Sequence, residues 1–296
     1  MFRQFLRGTA VVGACLALVA AVAVTSPADA GYAGRFYVAL GDSLSVGVQP
    51  QLAGVAAGNR RTPDGYPDQL ETALRSAGHD VRLAGFGCSG ATTTQLLDGG
   101  RCHYQRSRSQ LDAALSFIGT KPDRIALVTV DIGINDVMRC LAGQRVSTPC
   151  VRKGLAAVRR NLPVTLRRLR TAAPHAPVVA MTYYDPMLAV YPTAPAYARR
   201  TGAVFAELNA IITAACRQTG ARVADVAGAY GTTELTRPER LPDGGTAPVA
   251  VSRVCRWTWM CADPPVGPNL HANTAGYRTI ARAYGAASGL ATDWGS

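Results

Sequence analysis

The sequence predicts an α/β domain: a three-layer α/β/α sandwich built on a mostly parallel five-stranded sheet. Short apolar runs alternate along the chain with longer segments of helical periodicity. Strands that are separated by helices pair in parallel and carry helices on both faces of the sheet. A chain of 296 residues with 48% hydrophobic content is also large enough to bury such a core.

Five apolar runs are the predicted strands. They cover residues 36–40, 81–86, 125–130, 178–182 and 223–226. The third run, Ile125-Ala126-Leu127-Val128-Thr129-Val130, is almost entirely apolar. Such a run is typical of a strand that is buried on both faces of a parallel sheet.

Helices are predicted where apolar residues recur at spacings of three and four. These segments are 66–78 with Gly78 as its stop, 111–117, 151–169, 196–220, and a last helix that carries Tyr277, Ile280 and Tyr284. Pro163 lies inside the third segment and is expected to kink it. Asn273 and Thr274 are both good N-cap residues for the last helix.

Residues 231–268 match neither a helix nor a strand pattern. This stretch is rich in proline and glycine and contains Trp257 and Trp259 between two cysteines. Long irregular connections are usually functional or disordered. We therefore expect an ordered loop that rims a site, to which the tryptophans and the Tyr183-Tyr184 pair could contribute apolar surface, unless they belong to the core.

The N-terminus has the pattern of a secretory signal peptide over residues 1–30. Arg3 and Arg7 precede an apolar run, which is followed by a small-residue triplet of the A-x-A type that ends at Ala30. The apolar run, residues 9–24, is shorter than the roughly 18 residues that a membrane-spanning helix needs. We expect cleavage near Ala30 and a secreted or envelope-bound protein.

The mature domain is then predicted to span residues 31–296. Its seven cysteines indicate a disulfide framework, as is usual in exported chains: Cys88, Cys102, Cys140, Cys150, Cys216, Cys255 and Cys261. The short spacings favour Cys88–Cys102 and Cys140–Cys150. The third bridge is either Cys255–Cys261 or a bond from Cys216 to one of those two, and one thiol is left over.

The chain is basic, with a formal net charge of +12 and an isoelectric point near 9.7. A basic surface could attract nucleic acid, anionic lipid or an acidic envelope. The arginine pairs Arg159-Arg160 and Arg167-Arg168 fall on a helical pattern, which favours a solvated face. Export also argues against a nucleic-acid partner, so attraction to anionic envelope or lipid surfaces stays open. We expect a monomer.

Candidate catalytic groups follow each of the first three predicted strands. They are Ser43 in Gly41-Asp42-Ser43-Leu44, Gly90 in Cys88-Ser89-Gly90, and Asn135 in Gly133-Ile134-Asn135-Asp136. In parallel sheets, sites form at the carboxyl ends of the strands, so we expect these three residues to meet. The alternative interpretations are a serine N-cap, a glycine turn and an asparagine cap.

His271 is the best candidate for a general base among the four histidines. It lies just before the last predicted helix, where the chain could return to the same sheet edge. His79 and His175 lie in turns, and His103 lies in a polar loop. An imidazole near a serine hydroxyl is the usual arrangement for nucleophilic catalysis.

Together, these four residues resemble the markers of the GDSL, or SGNH, hydrolase family of esterases and lipases. Ser43, Gly90, Asn135 and His271 match the family's serine, glycine, asparagine and histidine. The resemblance covers nearly all of the mature domain and implies a flavodoxin-like sheet. Secreted, disulfide-bonded bacterial lipases and esterases are the most similar members.

The resemblance also implies a mechanism. Ser43 would attack a carboxylic ester, His271 would act as the base, and the oxyanion would be held by the amides of Ser43 and Gly90 and the side chain of Asn135. No metal and no organic cofactor is expected. The substrate would be a lipid or a small acyl ester; the alternatives are acetylated polysaccharide, or a non-catalytic binding protein on the same fold.

One position departs from the family pattern. The family usually has an acid three residues before the histidine, and here that position is Pro268. Either the backbone carbonyl near Pro268 orients His271 in a serine–histidine dyad, or Asp263 reaches in. We favour the dyad, in which no negative charge stabilises the imidazolium.

Overall fold

The computed structural model describes residues 34–50, 62–241 and 244–295, so the predicted signal peptide lies outside the described residues. Its central feature is a five-stranded sheet of β1 (Arg35–Gly41), β2 (Val81–Gly85), β3 (Ile125–Asp131), β4 (Val178–Met181) and β5 (Arg222–Ala224). All neighbouring pairs in this sheet are parallel, in the order β2-β1-β3-β4-β5. This is the flavodoxin-like order, and the predicted fold class is confirmed.

Helices connect the strands and cover the sheet. They are α1 (Ser43–Val46), α2 (Tyr66–Ser76), α3 (Thr93–Asp98), α4 (Gln110–Gly119), α5 (Ile134–Met138), α6 (Thr148–Ala172), α7 (Pro195–Thr219), α8 (Val226–Ala229), α9 (Val249–Trp257) and α10 (Thr274–Ser288), with short 3₁₀ turns at Pro122–Arg124 and Pro186–Val190. Across the ranges that the structure describes, none of the helices is both long and apolar enough to span a membrane.

Two groups of helices form the outer layers. α2 packs on α10, whereas α4 and α7 both pack on α6. The chain runs from β1 to β2 in one direction and from β3 to β5 in the other, so right-handed crossovers place α2 on one face and α6 and α7 on the opposite face. Both faces of β1 and β3 are thereby buried.

The sequence patterns locate the main elements well. Each predicted strand overlaps its observed strand, and the helical segments correspond to α2, α4, α6, α7 and α10. Asn273 is the N-cap of α10, because its side chain accepts a hydrogen bond from the Gly276 amide. α6 continues through Pro163, whose ring is buried.

The stretch 231–268 is not the irregular loop that its composition suggests. It contains a small hairpin of β6 (Pro238–Arg240) and β7 (Thr246–Pro248), then α9, then β8 (Thr258–Trp259). α9 is only nine residues long, so its spacing of Ala250, Val251 and Val254 is too short to predict a helix in a stretch rich in proline and glycine. β8 pairs in antiparallel fashion with β9 (Asn269–Ala272).

Three disulfides join near neighbours in sequence. The structure contains Cys88–Cys102 and Cys140–Cys150, the two pairs that the short spacings favour. It places the third bridge between Cys255 and Cys261. Cys216 is the buried free thiol.

The end of β1 is held by a pair of hydrogen bonds to the side chain of Gln110. The amide of Gly41 donates to Gln110 Oε1, and Gln110 Nε2 donates back to the Gly41 carbonyl, both at 2.9 Å. Gly41 also has a φ of +145°, and a Cβ built there would collide with the carboxyl and carbonyl oxygens of Asp131. Only glycine therefore fits at the point where β1 passes into the next segment.

We predict that Gly41→Ala will destabilise the fold severely. The new methyl group meets the Asp131 side chain and backbone in a region of φ that alanine disfavours, so the free energy of unfolding should fall by about 3 kcal/mol or more. Gly78→Ala is the matched control, because Gly78 also has a positive φ but no atom lies within 4 Å of its added Cβ. For Gly78→Ala, urea unfolding should show a loss of about 1 kcal/mol in the free energy of unfolding. Equal losses in Gly41→Ala and Gly78→Ala would contradict the steric argument.

Candidate active site

Ser43 lies at the carboxyl end of β1, as the first residue of α1. Asp42 is the N-cap of that helix, because its Oδ1 accepts a hydrogen bond from the Leu44 amide at 3.1 Å. The alternative interpretation of Ser43 as an N-cap is therefore wrong. Its side chain is 6% exposed, and among the described residues its hydroxyl has no hydrogen-bond partner. The hydroxyl is free to react.

The turn after β2 brings Gly90 to the same edge. Gly90 has a φ of +72°, and the Cys88 amide that precedes it donates to the Gly41 carbonyl at 3.0 Å, which joins this turn to the end of β1. Within the described parts of the chain, the amides of Ser43 and Gly90 have no acceptor. Two unsatisfied backbone donors at one sheet edge are what an oxyanion site requires.

Asn135 lies in the first turn of α5, after β3. Its Nδ2 donates one hydrogen bond to the Ala91 carbonyl at 3.1 Å, which holds the amide beside the Gly90 turn. An asparagine amide has two N–H donors, so the second stays available. The structure thus brings together the three residues that follow the first three strands.

Asp136 is a structural residue of the site that sequence reasoning missed. Its carboxylate accepts hydrogen bonds from the amide and the hydroxyl of Thr93, both at 2.9 Å, and so ties α3 to α5. Burial raises the pKa of this carboxyl above its usual range. The Gly-x-Asn-Asp block contains Asp136, but a capping contact to another segment leaves no trace in the sequence.

β9 carries His271 to the site from the far end of the chain. Trp259 of β8 pairs with Asn269 of β9, and the Cys255–Cys261 disulfide closes the segment that holds β8. On the other side, the Tyr184 hydroxyl donates to the Leu270 carbonyl at 2.9 Å. The stretch that was expected to be a long loop therefore supports the histidine strand.

The Asn269 side chain orients His271. His271 Nδ1 lies 2.7 Å from Asn269 Oδ1, which also accepts the His271 amide at 3.0 Å. The prediction that the carbonyl near Pro268, or alternatively Asp263, fills this role is therefore wrong. Residues two apart on an extended strand share one face, so Asn269 is the neighbour that reaches the ring; the Asp263 carbonyl instead accepts amides within its own turn.

The environment of His271 keeps its imidazole uncharged. Burial lowers the pKa of His271 to about 4, because no charged neighbour offsets the loss of water. An asparagine oxygen can only accept, so the bond assigns the proton to Nδ1 and leaves the Nε2 lone pair free. A neutral imidazole with a free Nε2 is the form that a general base needs.

Contacts between α1 and β9 bring the Ser43 and His271 segments together. Two hydrogen bonds reinforce this approach, from the Tyr277 hydroxyl to the Val48 carbonyl at 2.9 Å and from Trp259 Nε1 to Gln49 Oε1 at 2.8 Å. Among the described residues, no hydrogen bond joins the Ser43 hydroxyl to the His271 ring. Such bonds are often long without substrate and tighten in the reacting complex.

The aromatic residues near the site belong to its support. Tyr183 and Tyr184 are buried, and Tyr184 stacks on Tyr230, which meets the edge of Trp257. The three tyrosines therefore pack as core, whereas Trp257 and Trp259 are partly exposed. For the residues that the structure describes, no three histidine, cysteine or acidic side chains are grouped as metal ligands would be.

The sequence that forms this site matches the model of a known protein family. The model of the GDSL-like lipase/acylhydrolase family matches residues 39–279, which include Ser43, Gly90, Asn135 and His271. The chain belongs to the GDSL-like lipase/acylhydrolase family. Family membership makes it a carboxylic ester hydrolase by class. No curated protein matches the chain in sequence.

Solved structures share the fold of this GDSL-family enzyme. Phospholipase A1 from Streptomyces albidoflavus is 22% identical, with a TM-score of 0.56, over 86% of this chain and 100% of that one. The extracellular lipase from Streptomyces rimosus is 24% identical with the same TM-score and coverage. Axe2, an acetylxylan esterase from Geobacillus stearothermophilus, is 17% identical, with a TM-score of 0.54, over 89% of this chain and 97% of that one.

We predict that Asn269→Asp will raise the pKa of His271 from about 4 toward its ordinary value near 6.5. A carboxylate at Nδ1 stabilises the imidazolium, which the neutral amide oxygen cannot do. An NMR titration of the His271 ring signals measures the change. Asp263→Asn is the control and should leave the His271 titration unchanged; a large effect there would restore Asp263 as the orienting acid.

Proposed function

We propose that this protein is a secreted serine ester hydrolase that cleaves carboxylic esters through an acyl-enzyme on Ser43. The observation that carries the proposal is the state of Ser43 itself. Its hydroxyl and its amide have no partner within the described residues, although the residue is nearly buried. The Ser43 oxygen is not among the fully buried side-chain atoms that lack a partner, so it is accessible at the sheet edge and available to a substrate.

The first half of the reaction forms the acyl-enzyme. The Ser43 oxygen attacks the ester carbonyl carbon, and the Ser43 proton moves to His271 Nε2. When the tetrahedral intermediate collapses, the carbon–oxygen bond to the alcohol breaks and His271 gives its proton to that alcohol. Asn269 keeps the ring in the required tautomer throughout, but it supplies no negative charge to the imidazolium.

The negative charge that develops on the carbonyl oxygen is held by three donors. They are the amides of Ser43 and Gly90 and the second N–H of Asn135. The bond from Asn135 to Ala91, and the bond from Cys88 to Gly41, keep these donors in place before the substrate arrives. Donors that are already oriented need no reorganisation during the reaction. Water then repeats the sequence on the acyl-enzyme and releases the acid.

Secretion is supported by the disulfides. Three bridges between six cysteines are typical of an oxidising compartment and unusual in a reducing one. The N-terminal pattern that predicts a signal peptide agrees with this. We propose that the protein lies outside the cytoplasm, either free or at the envelope. Without Arg3, Arg7 and Asp29 of the predicted signal peptide its net charge falls from +12 to +11, which still favours anionic surfaces.

The substrates proposed are lipid or small acyl esters. The phospholipase and lipase among the similar structures act on lipids by their names, and the acetylxylan esterase acts on an acetylated polysaccharide. All three chemistries use the same acyl transfer. Initial rates on p-nitrophenyl esters of increasing acyl length, on phospholipid vesicles and on acetylated xylan would separate them.

We predict that Ser43→Ala will abolish ester hydrolysis and labelling by a serine-directed organophosphate. The variant keeps the Asp42 cap and removes only the nucleophilic oxygen, so its circular dichroism spectrum should match the wild type. Ser89→Ala is the control, since that serine lies in the adjacent turn and has no assigned role, and it should be labelled normally. Wild-type protein that hydrolyses no ester and resists the label would instead indicate a binding protein.

We predict that Asn135→Ala will lower kcat by roughly 10² to 10³, because one of three oxyanion donors is lost. KM should change less, since the ground-state carbonyl needs the donor less than the oxyanion does. The kinetic measurements should be paired with a thermal melt of the variant, because its hydrogen bond to the Ala91 carbonyl is lost as well. A folded variant with wild-type kcat would remove Asn135 from the oxyanion site.

A further inference from the structure

Two buried carboxyl groups lie beneath the Ser43 turn. Asp42 and Asp131 are both fully buried, and Asp131 is the last residue of β3, directly opposite Gly41 in the β1–β3 register. Neither carboxyl has an arginine or lysine partner among the described residues. A buried charge without a cation is expensive, so a pair of such groups needs an explanation.

Asp131 holds the backbone on both sides of Ser43. Its Oδ2 accepts the amide of Asp42 at 3.1 Å and the amide of Ser45 at 3.2 Å. Its Oδ1 lies 2.7 Å from the Tyr66 hydroxyl. One side chain from β3 thus sets the position of the residue before the nucleophile and of the residue two positions after it.

Asp42 supplies the second half of the arrangement. Its Oδ1 accepts the Leu44 amide and its Oδ2 accepts the Tyr183 hydroxyl at 3.2 Å. Its carbonyl accepts the Ser45 hydroxyl at 2.9 Å. The Asp42 amide is shared between the Asp131 carboxyl and the Asp131 backbone carbonyl, 3.0 Å away. The amides of Leu44 and Ser45 bond the two carboxyls, and among the described residues that of Ser43 alone is left free.

The ionisable groups that face the pair carry no positive charge. They are Tyr66 from α2, Asp136 from α5, Tyr183 and Tyr184 after β4, and Tyr277 and Tyr284 from α10. Burial, together with the neighbouring Asp42 charge, holds the pKa of Asp131 well above its usual range. Burial also raises the pKa of Asp42 to about 6. Two like charges at this depth repel, so the pair carries at most one charge at neutral pH.

We propose that Asp131 is a positioning residue, which fixes the Ser43 turn as a neutral carboxylic acid while Asp42 carries the single negative charge. The proton lies on Asp131 Oδ1 and is donated to the Tyr66 oxygen, and the Tyr66 hydroxyl can then turn to Thr129 Oγ1, 3.4 Å away. Oδ2 stays free to accept both amides. The inference rests on the proposed function of Ser43 as the nucleophile.

The neutral form makes Asp131→Asn a close mimic of the native residue. The asparagine oxygen replaces Oδ2 as the acceptor of both amides, and its Nδ2 replaces the protonated Oδ1 as the donor to Tyr66. Asp131→Ala removes both contacts. Asp185→Asn is the matched control: Asp185 is also buried, with a pKa raised to about 7, but it bonds Thr201 and Met187 away from the nucleophile.

The test compares kcat and KM on a p-nitrophenyl ester from pH 5 to pH 9 for the wild type and the three variants. Asp131→Ala should lose about 10²-fold in kcat with little change in KM, since a misplaced nucleophile slows the chemical step. Asp131→Asn should keep most of the wild-type kcat, and its activity should persist to higher pH than that of the wild type. Asp185→Asn should leave the shape of the pH profile unchanged.

Thermal melts supply a readout that needs no activity. A carboxyl whose pKa is raised in the folded state binds its proton more tightly there than in the unfolded chain, so its contribution to stability falls as pH rises above about 4. The difference in Tm between Asp131→Asn and the wild type should therefore grow in favour of the variant from pH 5 to pH 9. A constant difference would overturn the neutral-acid assignment.

Two activity results would also overturn the inference. One is an Asp131→Ala variant that folds and keeps the wild-type kcat, which would remove the positioning role. The other is an Asp131→Asn variant that folds but is as slow as Asp131→Ala, which would show that a charge is required. If Asp131→Ala does not fold, the pH profile and melts of Asp131→Asn decide. A wild type with no esterase activity and no organophosphate labelling counts against the proposed function alone, because the melts test the carboxylic acid independently.

Discussion

The parallel pairing of β1 with β3 is the interaction on which the candidate site depends. Its register ends with Gly41 opposite Asp131, which is why the chain leaves the sheet there and why only glycine fits. Cys88 and Gln110 bind the same glycine from two further segments. The nucleophile, the Gly90 turn and the Asn135 turn are therefore positioned by one point on the sheet edge rather than by independent loops.

The histidine side is built on a different principle. β9 belongs to no large sheet, and its position comes from β8, from a disulfide-closed segment and from the Tyr184 hydroxyl. Tyr184, which follows β4, stacks on Tyr230, and Tyr230 contacts Trp257 edge-on. These contacts connect β4 to the region of β8 and β9. His271 is thus fixed by aromatic packing and local pairing, whereas Ser43, Gly90 and Asn135 are fixed by the parallel sheet.

The sequence predicted the sheet, and the location of Ser43, Gly90 and Asn135 after its first three strands, because these depend on local patterns. A buried parallel strand is a continuous apolar run, and the residues directly after it lie at the carboxyl edge of the sheet. The role of Asn269 was missed, although the spacing of two residues from His271 would have indicated a shared face had the segment been recognised as a strand. The buried contacts of Asp131 and Asp136 could not be predicted, because each joins elements that are distant in sequence and carries no local signal.

The distance in sequence between Ser43 and His271 has a consequence for how the molecule is assembled. The proposed nucleophile and oxyanion donors follow the first three strands, but the proposed base is carried by β9, which comes after all five strands of the sheet in the chain. Joining two residues so far apart requires a long loop to close, which costs conformational entropy. A chain in which β9 has not docked would hold Ser43, Gly90 and Asn135 at the sheet edge with no histidine beside them. Under the proposed mechanism, ester hydrolysis therefore requires β9 to be docked, and the activity reports on that docking.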